Sequence, residues 1–504
     1  MTKKDYSKAM YIEKTLDPED WESMLALGHR ILDDMLDYMK TVRQHPWRHA
    51  PNKVKARFNQ PLPFDPQLPE EIYKEFLEYV LPYPLGNIHP RFWGWVAGTG
   101  TIFGAFAEFM AATMNITACG NGAYHSANYV EKQVIDWFKE IFGFPPSASG
   151  LLTSGCSAAN LIGLAVARNT KAGYDLRKDG INTKLSKMVL YASDEIHSSI
   201  QKAVELLGLG SNALRLVPIN EYFQIDIKAL EKIILEDRKN GYLPFCIVGA
   251  AGTTNTGAID DIEALADICQ RENIWLHIDG AFGAWAVLAP GERHLVAGME
   301  RADSLAFDLH KWMYMQYEIG CILVRCEEDH RKAFSLTPAY IEHGEGDRGM
   351  TGRDLPWLCN YGFQHSRGFR ALKAWMSLKE HGTRKYGQLI QQNINQARYL
   401  AELVENAPEL ELAAPVTLNA VCFRYTKKGL DDASLDELNK RIEVELQEQG
   451  IAVPSTTTVR NKCVLHVVNT NHRSRREDFD VLVREVIRIG KDLSQPKQNA
   501  EKLD

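Results

Sequence analysis

The chain has 504 residues, 45% of them hydrophobic and 24% charged, and carries a formal net charge of −7. That length supplies one large unit or two to three packed domains with a sizeable core, while the acidic balance and the lack of any apolar run of about 18 residues exclude nucleic acid and membrane as main partners. The nine Cys show neither a CxxC pair nor zinc-ligand spacing, so no metal is expected, and with no signal-peptide core in MTKKDYSKAMYIEK the protein is expected to be soluble and cytoplasmic.

In chain order, residues 1–85 read as a helical arm. LDPEDWESMLALGHRILDDMLDYMKTV (16–42) has apolar side chains at helical spacing, with Asp17 or Asp20 as its cap. Prolines then break the chain in RQHPWRHAPNK and NQPLPFDPQLP. An arm of this kind has little core of its own and is expected to pack on the rest of the molecule or on a second copy.

Residues 86–380 form a second segment. From about 150 onward, short apolar runs alternate with helical patterns. SKMVLYAS (186–193), ALRLVPI (213–219), FCIVGAA (245–251), WLHIDGAF (275–282) and SLAFDL (304–309) read as strands. SSIQKAVELLGLG (198–210), IDIKALEKIILEDRKNG (225–241) and DDIEALADICQREN (260–273) read as helices. Alternation at this interval predicts βαβ units and an α/β fold: a mostly parallel sheet with helices on both faces, its reactive groups at the carboxyl ends of the strands. Residues 381–504 shift to a long helix (YGQLIQQNINQARYLAELVEN), strand-like VCFRY and VLHVVNT, and a last helix. That pattern predicts a smaller α+β domain.

One lysine is out of place. In RADSLAFDLHKWMYMQYEIGCILVRC (301–326), Lys311 stands between two apolar runs, although lysine is among the residues least often buried. Three other features change how it is read. TSGCSAANLIGLAVAR (153–168) runs a small, polar turn straight into an apolar helix, which offers backbone N–H groups and hydroxyls to a phosphate. HIDGAFG places Asp279 at the end of an apolar strand, where a carboxylate needs a cation or good hydrogen bonds. YASDEIHSS puts His197 just beyond another strand. Pyridoxal 5′-phosphate satisfies all four at once. It needs a lysine amine for its aldehyde, an acid against its ring nitrogen, a phosphate cup and a flat group to stack on the ring. Lys311 must lose its proton to attack, and burial beside a cationic ring is expected to lower its pKa.

From HPRFWGW (89–95) to the final helix, the chain resembles the group II pyridoxal-phosphate-dependent decarboxylases, the family of the aromatic-L-amino-acid, histidine and glutamate decarboxylases. The family's fold-type I architecture is therefore implied. DLHKW is similar to the family's (N/D)xHKW, which makes Lys311 the cofactor lysine, His310 its neighbour and Asp308 a residue near the phosphate. By the same resemblance Asp279 holds the ring nitrogen, Ala281 lies against the ring and His197 stacks on it. Thr254, in AGTTNTG, contacts the cofactor, and Cys156 and Ser157 form the phosphate turn. Phe92, Trp93 and Trp95 fall where relatives line the side-chain pocket, which leans toward an aromatic substrate. Tyr124 and His125 depart from the Ser-Pro common in relatives. His466 stands where the glutamate decarboxylase branch has a carboxylate-gripping Arg, so that task is expected to fall to a pH-dependent His466, or to Arg367 or Arg370.

TPAY, in the Gly-rich segment 335–356, is similar to the family's DPxY stretch, and its Tyr340 would protonate the Cα carbanion left when carbon dioxide departs. Aldehyde synthases of the family have Phe there. The expectation is a homodimer that decarboxylates an L-amino acid, aromatic in kind (tyrosine-, tryptophan- or DOPA-like). Its rivals are an acidic or other substrate, an aldehyde synthase or aminotransferase on the same fold, and a catalytically silent scaffold that binds cofactor.

Overall fold

A computed structural model describes residues 14–119, 126–182, 187–336 and 357–495. They fall into two compact units: one runs to His45 and resumes over Ala50–Pro84, and the other comprises Pro46–His49 and the chain from Leu85 onward.

The first unit is built on the helix Trp21–Lys40. Its cap is Asp20, whose carboxylate accepts from the N–H groups of Glu22 and Ser23. The helix Pro69–Glu75 is tied to it by Tyr73 Oη donating to Asp34 at 2.7 Å and by the Arg30–Glu70 ion pair. Few side chains here are buried, whereas Trp21, Leu25, Phe58, Leu62 and Phe64 are exposed. The unit has little interior of its own.

The second unit contains a seven-stranded sheet: β1 (Ser149–Thr153), β2 (Met188–Ser193), β3 (Leu214–Val217), β4 (Leu243–Ala250), β5 (Trp275–Asp279), β6 (Ser304–Asp308) and β7 (Gly320–Val324), in the order β1-β7-β6-β5-β4-β2-β3. The strands β2 to β6 pair in parallel, while β7 runs antiparallel to both β6 and β1. Successive residues of one strand enter opposite cores. Ile247, Leu276, Ile278 and Leu305 pack on one face, and Cys246, Val248, Trp275 and Ala306 on the other. Burial on both faces is why these strands read as continuous apolar runs. The register sets Ala250, Asp279 and Ala306 side by side, and Asp308 opposite Gly320. The carboxyl ends of β4, β5 and β6 thus meet at one edge. This is the fold-type I arrangement.

Beyond it, β8 (Leu410–Leu412), β9 (Ala420–Tyr425), β10 (Ser455–Val459) and β11 (Lys462–Val468) form an antiparallel sheet in the order β10-β11-β9-β8. Helices Asp432–Glu448 and Arg476–Ser494 pack with it around a core of its own. The long helix begins at Ala371 rather than near Tyr386. Gly382, at φ 67° and ψ 153°, breaks it into two runs, a conformation in which glycine avoids a Cβ clash.

Candidate active site

At the carboxyl edge of the large sheet lies a cavity of about 370 Å³. Its lining includes Ser154–Ala158, Asn160, His197, Asp279, Ala281, Asp308, His310, Lys311 and Tyr317. Larger clefts exist elsewhere on the surface, but this one gathers an amine, two carboxylates and two imidazoles, and chemistry rather than volume singles it out.

Asp279 ends β5 and is held by three donors. Asn160 Nδ2 reaches Oδ2 at 3.0 Å, while the Cys156 thiol (3.4 Å) and the N–H of Ala281 (3.2 Å) reach Oδ1. Behind Asn160 runs a chain of directed bonds. His277 Nε2 meets Asn160 Oδ1 at 2.9 Å, His277 Nδ1 meets Ser304 Oγ at 2.8 Å, and Trp275 Nε1 donates to that hydroxyl at 2.8 Å. Because the Asn160 amide oxygen can only accept, His277 carries its proton on Nε2, and Nδ1 accepts from the Ser304 hydroxyl, which in turn accepts from the indole. Burial pushes the His277 pKa down to about 4, so the ring is neutral. A fully enclosed row of groups therefore fixes the Asp279 carboxylate, with Asn160 as the direct link. Asn160 and His277 were not anticipated, although their spacing carried a signal. Asn160 is one helical turn from Cys156 in the helix Cys156–Lys171, and Trp275, His277 and Asp279 alternate onto one face of β5.

Across the cavity, Lys311 follows β6. Its Nζ lies 3.1 Å from Asp308 Oδ2, and Asp308 Oδ1 accepts from the N–H of Cys156 at 2.6 Å, at the start of the helix Cys156–Lys171. Burial presses the ammonium toward neutrality, but the Asp308 and Asp279 carboxylates outweigh it, and the Lys311 pKa lies above its ordinary value. This is the reverse of the sequence expectation, which supposed a cationic ring beside the amine. His310 accepts at Nδ1 from the N–H of Ile319 and carries the Tyr317 ring 4.4 Å away. His197 caps the helix Ser198–Leu206, accepting at Nδ1 from the N–H of Ser199, which leaves its proton on Nε2. Burial lowers the pKa of both rings.

Glycines shape the cup. A Cβ on Gly98 would sit 1.8 Å from the carbonyl oxygen of His310, and one on Gly320 would sit 2.7 Å from the backbone of Gly155. Only glycine allows these backbones to approach so closely.

Other predicted residues lie apart. Trp93 is fully buried, stacked on Phe479 at 4.6 Å with Nε1 donating to Ser474. It is a core residue of the small domain, not a pocket wall. Trp95 is 58% exposed at φ 55°, and its N–H donates to Ser455 Oγ. His466 meets the same hydroxyl at 3.1 Å and faces the backbone of Thr254 and Asn255. Burial pushes its pKa down to about 4, so it cannot offer a cation to a carboxylate near neutral pH. Arg367 cannot either, being enclosed and paired with Glu131 at 2.6 Å, and Arg370 is paired with Glu318. Thr254 sits in the turn after β4, outside the cavity lining. Tyr124, His125 and Tyr340 lie outside the described residues. Among the described residues, no group of three or more His, Cys, Asp or Glu could hold a metal ion.

The donor set fits pyridoxal 5′-phosphate. One cavity is lined by an amine that suits the aldehyde, a braced carboxylate that suits the ring nitrogen, and a turn at a helix N-terminus that suits the phosphate. The family model described as the pyridoxal-dependent decarboxylase conserved domain matches residues 51–426. The chain is 32% identical to an aromatic-L-amino-acid decarboxylase of Bacillus atrophaeus over 94% of this chain and 96% of that one. It is 26% identical to tyrosine decarboxylase 3 of Petroselinum crispum, over 91% and 89%. A crystal structure of Oryza sativa TDC with PLP and tryptamine superposes with a TM-score of 0.87 at 23% identity, covering 95% of this chain and 100% of that one.

Proposed function

The chain belongs to the pyridoxal-dependent decarboxylase family, and from that premise we propose that it converts an aromatic L-amino acid to its amine and carbon dioxide. Pyridoxal 5′-phosphate is its cofactor. The observation that carries the reading is that Lys311 and the braced Asp279 line the same cavity.

When bound, the cofactor supplies an electron-poor ring into which the bond to the departing carboxyl group can release its electrons. Everything else falls to the protein. Lys311 anchors the aldehyde end. Asp279, fixed by Asn160, the Cys156 thiol and the Ala281 N–H, keeps a proton on the ring nitrogen. The turn at Cys156 and Ser157 would receive the phosphate, and His197 and Ala281 would lie against the ring. Tyr340 or His197 is proposed to assist delivery of a proton to Cα once carbon dioxide has left. A phenol at that position favours the amine over the aldehyde. Trp95 is proposed as an aromatic wall of the substrate pocket. His466, Arg367 and Arg370 are neutral or already paired, so the substrate carboxylate is proposed to be held by groups other than these three.

We further propose a cytoplasmic homodimer. The apolar side chains left exposed in the first unit (Trp21, Leu25, Leu62, Phe64) suit a cover from a second copy. All nine cysteines are free, which suits a reducing compartment. No helix among the described residues is long and apolar enough to cross a membrane. Incubation with a panel of L-amino acids, with the amines identified by mass spectrometry, tests the reaction. Amines from tryptophan, tyrosine or DOPA are expected, and release from glutamate alone would contradict the substrate class.

A further inference from the structure

Tyr317 lines the same cavity as Lys311, and its one hydrogen bond among the described residues is as an acceptor: Oη takes the N–H of Gly98 at 3.3 Å. Its ring rests on His310, with centroids 4.4 Å apart. Two contacts therefore set where the oxygen lies. A phenol that accepts from a backbone N–H still has its own proton to give. Burial raises the Tyr317 pKa, so that proton stays in place near neutral pH.

We propose that Tyr317 donates its hydroxyl proton in a hydrogen bond to the carboxylate of the amino-acid substrate, a neutral hold where His466, Arg367 and Arg370 offer no free cation. This rests on the decarboxylase reading above.

The other groups of the cavity are already engaged. Among the described residues that line it, Lys311 is the sole Lys or Arg, and it is paired with Asp308 and needed at the aldehyde. Ser154 and Ser157 belong to the turn proposed for the phosphate. Ser199 Oγ is shared between Asn160 and His197. His310 accepts at Nδ1 from Ile319, and its other nitrogen lies 3.6 Å from Asp308. His197 is assigned to the ring. Tyr317 alone keeps an uncommitted proton.

A neutral donor also suits the reaction. The carboxylate carries its negative charge only until the bond to Cα breaks, and it departs as uncharged carbon dioxide. A cation would grip the starting charge and lose that attraction on the way, which adds to the barrier. A phenol gives the carboxylate a direction with less of this loss.

Two probes separate the carboxylate from the rest of the substrate. Indolepropionate keeps the carboxylate and lacks the amine, whereas tryptamine keeps the amine and lacks the carboxylate. Neither is an amino acid that can be decarboxylated, so calorimetric titration of the full-length protein loaded with cofactor reads binding alone. In Tyr317→Phe, indolepropionate should bind about tenfold more weakly, as expected for one lost hydrogen bond to a charged group, while tryptamine should change by less than about twofold. Thermal melts of the two proteins should coincide. An unchanged affinity for indolepropionate would overturn the proposal, and so would an equal loss for both probes, which would make Tyr317 an apolar wall. Failure of indolepropionate to bind the unaltered protein while tryptamine binds would overturn it as well. Binding of neither probe would overturn the aromatic substrate class together with the role of Tyr317.

Discussion

Asn160 Nδ2 donates to Asp279 Oδ2 at 3.0 Å, and both side chains are buried. The amide reaches the carboxylate because it carries a second bond on its other side, from His277 Nε2 to Oδ1. The carboxylate proposed for the ring nitrogen is therefore positioned by a helix residue locked to the neighbouring strand. Replacing Asn160 by Ala should leave His277 Nε2 unpaired and Asp279 Oδ2 without its side-chain donor, costing about 1–3 kcal/mol of stability. Turnover should fall roughly 10- to 100-fold, by analogy with loss of a supporting partner at a metal site. Urea unfolding and steady-state kinetics check the two effects. A variant with full turnover would separate Asn160 from the chemistry.

Trp93 and Trp95 are two residues apart and should behave oppositely. Trp93 is enclosed against Phe479, so Trp93→Ala is expected to destabilise the fold by about 3–5 kcal/mol while leaving the order of preferred amino acids unchanged in protein that survives. Trp95→Ala is expected to leave the melting temperature nearly unmoved and to raise KM for tryptophan more than for a small amino acid. Thermal melts and a substrate panel check both.

Tyr340→Phe should retain the cofactor's visible band and shift the product from amine toward aldehyde, with peroxide and ammonia released beside it. Assaying peroxide and amine in the same reaction gives the ratio. An unchanged amine yield would remove Tyr340 from the protonation step.

Buried histidines set the response to acid. His277, His466 and His472 have pKa values pushed down to about 4, and His330 to about 3, each chiefly by burial. The unfolded rings titrate near 6.5. The unfolded chain thus binds more protons than the fold below that pH. The stability these rings hold as neutral groups is present above 6.5 and drains away as the pH falls toward 4, by up to about 1.4 kcal/mol per pH unit for each ring. Asp260, which accepts from Ala250 and Ile225, has its pKa pushed up to about 6 by burial. Its contribution runs the other way, fully present below 3.8 and lost as the pH rises to 6. Burial also raises the pKa values of Asp194, Glu195 and Asp303, but the four rings carry the larger shifts, so the urea midpoint should fall between pH 6.5 and 4.5. A flat midpoint across that window would show the rings to be charged in the fold.

Much of this site was legible in the sequence. A lysine between two core strands, a carboxylate ending a third and a small-residue turn before an apolar helix are each expensive to bury, and only function explains their expense. Asp279, Lys311 and the turn at Cys156 were found this way and Asp308 through the family resemblance, and the structure brings all four to one cavity. What escaped was whatever depends on which face a side chain takes. Trp93 and Trp95 look alike in HPRFWGW, but the left-handed backbone at Trp95 turns one ring out while its neighbour enters the small-domain core. Asn160 passed as an ordinary residue of an apolar helix because its partners, Asp279 and His277, are more than 100 positions away. Arg367 drew attention as a free cation, and its pairing with Glu131 depends on contacts that no local pattern encodes. The antiparallel insertion of β7 beside β1 was likewise invisible to periodicity, since a buried strand reads the same in either direction.

The most direct measurement is borohydride reduction of the protein loaded with pyridoxal 5′-phosphate, followed by proteolysis and mass spectrometry of the peptides. A phosphopyridoxyl group on Lys311, and none in Lys311→Ala, is the predicted result. The label on a different lysine, or an unlabelled protein, would contradict the account at its centre.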